Sequence, residues 1–307
     1  MIAFVFPGQG AQKVGMGKSL VDTFDICRDA FAEADAALGE PLSALCFEGP
    51  DDRLMLTENT QPAILAMSTA VARLVKSRGI DAAFAAGHSL GEYSAHVAAG
   101  TLSFADALRI VRRRGQYMQE AVPVGEGAMA AILGLDAEAV ARACDEAAQG
   151  QIVTPANLNA PGQVVIAGHT AAVARAGERA KAAGAKRVIA LSVSAPFHCP
   201  LMKPAEERLA PELRALDANA PGIPVIANVD AEPKRSAAEA IDALVRQVSS
   251  PVRWEDVVKR LVAEGVTTCI ELGPGSVLAG LIKKIDRTIK VFSVEKPDDL
   301  AALEGAL

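Results

Sequence analysis

Residues Gly87-His88-Ser89-Leu90-Gly91 place a serine between two glycines, each two positions away. This spacing fits the sharp turn that lifts a nucleophilic serine between a strand and a helix. Side chains two residues from the tip would meet neighbouring backbone, so glycine is the residue that fits. Ser89 is therefore the candidate nucleophile. Its hydroxyl would stand at a helix N-terminus, with the Leu90 N–H aimed at a developing oxyanion. Such a serine needs a base. The chain has four histidines, His88, His96, His169 and His198. The His88 ring should point away from the hydroxyl, His96 reads as structural on the following helix, and His169 reads as a cap at a strand-to-helix turn. His198 lies in a loop after a strand, where sites assemble in α/β sheets, and is the best-placed base. No acidic residue declares itself as a third catalytic member.

The elements that must hold these residues follow from the apolar pattern. A strand over 2–6 ends in the turn Pro7-Gly8-Gln9-Gly10. Helices are expected over 19–38 and 61–77, and an apolar run over 82–86 leads into the serine turn. Ser103 and Asp106 have capping-box spacing, with Asp in place of Glu or Gln, and open a helix to about 120. On it Arg109, Arg112 and Arg113 read as a solvated stripe. Arg114 is turned about 100° from Arg113 and can face elsewhere.

The next block runs strand 127–135, helix 136–148, strands 152–158 and 163–167, helix 170–183 and strand 186–193. This βαββαβ order predicts a ferredoxin-like insertion of about 70 residues. Beyond it come a helix over 201–216, a strand over 223–227, helices over 237–247 and 254–264, a strand over 267–271 and a helix over 276–284. The flanking blocks alternate strand and helix, which predicts an α/β domain with a mainly parallel sheet. The expected division is a large catalytic domain from 1–124 and 194–307 and a small subdomain over 125–193.

Bulk properties exclude several functions. With 50% hydrophobic and 22% charged residues the chain has a globular composition. A net charge of -6 argues against general nucleic-acid binding. No apolar run approaches a membrane span. Five cysteines without a CxxC pair argue against a disulfide framework or a metal site and fit a reducing cytoplasm. Lys13 stands where a dinucleotide-binding loop beginning Gly8-Gln9-Gly10 would need its third glycine.

Taken in order, a series of segments resembles the malonyl-CoA:acyl carrier protein transacylases of fatty acid synthesis and, more widely, polyketide synthase acyltransferase domains. They are Phe6-Pro7-Gly8-Gln9-Gly10-Ala11-Gln12, Thr60-Gln61-Pro62-Ala63, Gly87 to Tyr93, Arg114-Gly115-Gln116-Tyr117-Met118-Gln119, Asn157-Leu158-Asn159, Pro161 to Gly168, Pro196-Phe197-His198 and Glu271-Leu272-Gly273-Pro274-Gly275. The resemblance spans nearly the whole chain. It implies a hydrolase-like core and malonyl transfer from malonyl-CoA to the phosphopantetheine thiol of acyl carrier protein, through malonyl-Ser89. It implies His198 as base and then acid, the N–H groups of Gln9 and Leu90 as oxyanion hole, and Arg114 as the anchor of the malonyl carboxylate. Gln247 would support His198 through its main-chain carbonyl, and Met118 would belong to the pocket wall.

Phe197 implies a preference for malonyl over methylmalonyl, by analogy with the polyketide kin; Ser also occurs there in the fatty-acid enzymes. The resemblance implies a cytoplasmic monomer without a cofactor or metal. Its acidic carrier protein would dock on a basic patch drawn from Arg112, Arg113, Lys186, Arg187, Lys283 and Lys284. A serine thioesterase or hydrolase, a stand-alone polyketide-type acyltransferase and a non-catalytic scaffold are the alternatives.

Overall fold

The computed structural model describes residues 1–191, 193 and 195–307. Ser192, inside the strand expected over 186–193, and Ser194, the expected start of the second part of the large domain, lie outside the described residues. Among the described residues there are ten strands: β1 (Ile2–Phe6), β2 (Phe84–Gly87), β3 (Gly127–Leu133), β4 (Val153–Ala160), β5 (Gln163–His169), β6 (Arg187–Ala190), β7 (Val225–Ile226), β8 (Pro233–Lys234), β9 (Thr268–Leu272) and β10 (Lys290–Val294). They form two sheets.

The larger sheet has the order β10-β9-β1-β2-β7-β8. Its first five strands run parallel, and β8 returns antiparallel on the edge. Central β1 reads Ile-Ala-Phe-Val-Phe, and residues 3–6 are fully buried. That continuous apolar run is what a strand covered by helices on both faces requires. The helix Thr57–Ser77 crosses one face and is buried along almost its whole length. It starts before the expected residue 61. The stretch expected as one helix over 19–38 is two, Lys18–Thr23 and Asp25–Leu38, because Phe24 takes an extended conformation between them. The short strand β8 and the C-terminal β10 with helix Pro297–Glu304 had no counterpart in the sequence reading.

The smaller sheet is antiparallel, with the order β4-β5-β3-β6. Its helices Ala137–Ala148 and Thr170–Ala182 cover one face around Ile132, Val140 and Ile166. From the other face Met129, Ala156 and Val165 join the core of the larger sheet. Val252 ties the two together: its N–H donates to Ala156 O (2.9 Å) and its carbonyl accepts from Leu158 N (2.9 Å). Among the described residues no helix is long and apolar enough to cross a membrane.

Two caps position helices that reach the site. Ser103 accepts from Asp106 N and opens Phe104–Glu120; the Asp106 carboxylate accepts from the Ser103 hydroxyl (2.7 Å). Ser236 and Glu239 form a full capping box at the start of Ala237–Gln247, the helix that ends in Gln247. Ser236→Ala removes one partner of an otherwise unpaired helix donor and should cost about 1 kcal/mol. A urea unfolding midpoint unchanged by the substitution would contradict this.

Candidate active site

Strands β1 and β2 lie side by side with Phe6 opposite Gly87, so the loops that follow them leave the same carboxyl edge together. The His88 N–H donates to Phe6 O (3.0 Å), which carries the pairing into the turn. The turn itself leaves no room for side chains. A Cβ on Gly87 would stand 1.9 Å from Gly91 C, and one on Gly91 would stand 2.0 Å from Phe6 O. Ser89 occupies the tip with φ 52°, in the left-handed region that costs a residue with a side chain about 1–3 kcal/mol.

Side chains from distant parts of the chain hold this conformation. Asn228, at the carboxyl end of β7, accepts from Ser89 N through Oδ1 (2.7 Å) and donates to Gly87 O through Nδ2 (2.7 Å). Gln247 Nε2 donates to Ser89 O (2.9 Å). All three bonds fall on the backbone of the turn. They leave the Leu90 N–H at the first position of helix Leu90–Ala98, outside the intrahelical ladder.

Ser89 Oγ lies 2.6 Å from His198 Nε2. On the other side of the ring, Nδ1 lies 3.0 Å from Gln247 O and 3.2 Å from Ser250 O. Both neighbours are carbonyl oxygens that only accept, so Nδ1 carries the proton and Nε2 keeps a free lone pair toward the serine. Burial pushes the imidazole down to about 3, and the nearby Arg114 charge pushes in the same direction. The ring is thus held neutral. His198 also has a positive φ, 59°, one of four such non-glycine residues among those described.

Arg114 is 2% exposed. Its Nη2 donates to Ser89 Oγ (3.1 Å) and Gln247 Oε1 (2.9 Å), and its Nη1 donates to Gln61 Oε1 (2.8 Å). All three partners are neutral. The guanidinium lies against the Tyr93 ring, 5.4 Å from its centroid. Burial lowers its pKa from the ordinary value. These groups border a cavity of about 130 Å³, walled by Gln9, Met118, Met129, Leu191, Phe197 and their neighbours. The Gln9 side chain ties its loop to Thr57 Oγ1 (3.2 Å).

Every residue singled out for the site from sequence thus lies at one place: Ser89, Leu90, Arg114, Met118, Phe197, His198 and Gln9 line the cavity, and Gln247 stands behind His198 and Arg114. Other expectations need correction. His169 stands at the start of its helix but makes no capping bond; its Nδ1 accepts from Ile152 N (3.0 Å). Arg112 is not part of a solvated stripe, since it is largely covered and pairs with Glu40 and Asn59. Of the other histidines, His88 bonds Asn159 Oδ1 (2.8 Å) and His96 is fully buried beside Thr101. Cys199 is buried against Pro196 O.

Sequence reasoning missed Asn228, Gln61, Glu92 and the side chain of Gln247 as members of the site. Asn228 follows a strand on the carboxyl edge, the position that drew attention to His198. Gln61 and Glu92 stood inside segments already noted for resemblance, without a chemical role.

An acyl transferase domain model matches residues 3–296. The malonyl CoA-acyl carrier protein transacylase of Escherichia coli K12 is 53% identical over 98% of this chain and 97% of its own. The chain belongs to the malonyl CoA-acyl carrier protein transacylases, within the acyl transferase family. Solved structures of the family agree. An acyl carrier protein S-malonyltransferase from Vibrio cholerae is 51% identical, with a TM-score of 0.96 over 98% of this chain and 99% of that one. A malonyl-transacylase solved in complex with a type II PKS acyl-carrier protein is 50% identical, with a TM-score of 0.97 over 99% of both chains.

Two outcomes follow from this geometry. Gly91→Ala drives a methyl group into Phe6 O and should destabilise the fold by about 3 kcal/mol or more, read from denaturant midpoints; an unchanged midpoint would contradict the steric account. An uncharged phosphonofluoridate reports the Ser89–His198 pair directly, because protonated His198 cannot accept the serine proton. Its folded pKa lies below the ordinary 6.5, so inactivation should hold constant as pH falls through 6.5 and decline only well below it. Arg114→Gln removes one cause of that depression and should move the midpoint upward. A wild-type midpoint at 6.5 or above would contradict the reading.

Proposed function

We propose that this chain transfers malonyl from malonyl-CoA to the phosphopantetheine thiol of acyl carrier protein, supplying malonyl units for fatty acid synthesis. The observation that carries the reading is Arg114: a buried cation with neutral hydrogen-bond partners, 3.1 Å from the candidate nucleophile. Buried Glu92 favours the Arg114 charge from a distance, but no carboxylate bonds the guanidinium directly in these three contacts, and one entering the cavity would pair with the fork itself. The guanidinium fork matches a carboxylate through two parallel bonds. Malonyl-CoA presents a thioester carbonyl and a free carboxylate one methylene apart.

In the first half-reaction Ser89 Oγ attacks the thioester carbon while His198 Nε2 takes its proton. The tetrahedral oxyanion faces the N–H groups of Gln9 and Leu90; one such donor is typically worth about 2.7–4 kcal/mol. The C–S bond breaks, and protonated His198 returns the proton to the leaving thiolate of coenzyme A. In the second half His198 takes the proton of the carrier thiol, whose sulfur attacks malonyl-Ser89, and then returns it to Ser89 Oγ. Nδ1 stays bonded to two main-chain carbonyls throughout. A thiolate leaves readily, so a neutral acceptor behind the histidine is sufficient where an amide substrate would favour a carboxylate.

Phe197 and Met118 close the cavity around the acyl group. The Phe197 ring disfavours a methyl branch by about 1–3 kcal/mol, a preference for malonyl over methylmalonyl rather than an exclusion. Residues 125–193 act as a smaller unit that supplies Met129 and Asn157 to the cavity wall of the large domain.

Intact-mass measurement after mixing with malonyl-CoA tests this reading. A malonyl adduct should form on the wild type, be absent from Ser89→Ala, and discharge far faster to holo acyl carrier protein than to water. Arg114→Ala should lose roughly 10- to 100-fold in malonyl over acetyl preference, the size of charge-assisted hydrogen bonding. Discharge to water at the same rate with or without carrier protein would favour a thioesterase.

A further inference from the structure

Glu92 is a fully buried carboxyl group that the steps above leave unused. It sits in the first turn of helix Leu90–Ala98, directly behind the serine turn. Its Oε2 accepts from Gln247 Nε2 (2.7 Å) and from Asn228 N (3.0 Å). Its Oε1 has no partner among the described residues. Its two partners are the residues whose side chains clamp Ser89.

The Gln247 amide has two chemically different ends. Its NH₂ faces two acceptors, Glu92 Oε2 and Ser89 O, and its oxygen faces Arg114 Nη2. Turned over, the amide would set its oxygen against two oxygens and its NH₂ against a guanidinium. Glu92 and Ser89 O together set which end of Gln247 meets Arg114, and Glu92 is the side chain of the two and makes the shorter bond. We propose that Glu92 is a positioning residue for acyl selection: through the Gln247 amide it holds the Arg114 fork ready for the acyl carboxylate. This rests on the reading of Arg114 as the carboxylate anchor.

Burial pushes the Glu92 carboxyl up to about 7, against the bonds from Gln247 and Asn228, which favour the charged form. An oxygen with free lone pairs accepts both N–H groups in either protonation state, so the positioning does not require the charge. The acid missing behind His198 thus stands one residue further back. It touches Gln247, whose main-chain carbonyl accepts from His198 Nδ1.

The test is the ratio of kcat/KM for malonyl-CoA to that for acetyl-CoA, with holo acyl carrier protein as acceptor, in variants shown to be folded by circular dichroism. Glu92→Met keeps the bulk and removes the acceptor; Gln247→Met removes the amide and keeps the carbonyl behind His198. Each should lower the ratio by about tenfold or more, the effect of one lost hydrogen bond to a charged group, and the double variant should lose no more than the worse single. Glu92→Gln retains an acceptor oxygen and should keep the ratio within about twofold.

A merely structural Glu92 would lower both substrates in proportion, and that result overturns the proposal. Should Glu92→Met fail to fold, Gln247→Met decides, since an undiminished ratio there overturns the proposal as well. Arg114→Gln in the same assay separates the two claims. If it collapses the ratio while the Glu92 and Gln247 variants do not, only the positioning role falls. If Arg114→Gln leaves the ratio intact, the anchor reading falls and the positioning role with it.

Discussion

The conformation of one residue organises this molecule. Ser89 sits at φ 52°, a backbone state that an isolated chain would leave at once. It persists because strand pairing fixes the chain before it, a helix fixes the chain after it, and Asn228 and Gln247 bond the peptide groups in between. Those two residues come from the far end of the sequence. The turn is thus braced from the end of β7 and from the helix Ala237–Gln247, so the conformation of Ser89 draws on much of the larger sheet. Strain is spent where it exposes a hydroxyl to an acyl group.

The electrostatics of the site follow from the same crowding. Burial holds His198 neutral, and the hydrogen-bond partners of buried Arg114 are neutral groups. A carboxylate paired directly with His198 Nδ1 would sit close to that cation and compete with an incoming acyl carboxylate. Two main-chain carbonyls orient the imidazole without adding charge. The choice of a neutral partner for the histidine and the choice of an acid-bearing substrate are therefore one arrangement seen from two sides.

Much of this was legible in the sequence because it depends on local rules. The glycines around Ser89 reveal the turn: a side chain on Gly87 would strike Gly91 four residues on, although the atom that excludes one from Gly91 is Phe6 O, from a distant strand. The succession of strands and helices in the smaller sheet follows from their alternating patterns, with Pro161 and Gly162 at the hairpin. Helical geometry allowed Arg114 to face away from its arginine neighbours, while its part in the site came from the resemblance. Contacts made between remote segments were not legible. Nothing in Ala227-Asn228-Val229 announces that the Asn228 amide will span the serine turn, and Gln247 was assigned only through its carbonyl. Arg112 looked solvated because Glu40 and Asn59, which cover it, lie more than fifty residues away in sequence. The extended residue Phe24, which splits the first long helix, is fixed by packing against the core rather than by a breaker residue.

The most direct measurement is a crystal structure of the protein soaked with malonyl-CoA. The account predicts an ester on Ser89 Oγ, its carbonyl oxygen facing the Gln9 and Leu90 N–H groups. It also predicts a carboxylate paired side-on with Arg114 at about 2.7–2.9 Å. A malonyl ester whose carboxylate points to solvent, with the Arg114 bonds to Gln61 and Gln247 undisturbed, would contradict it.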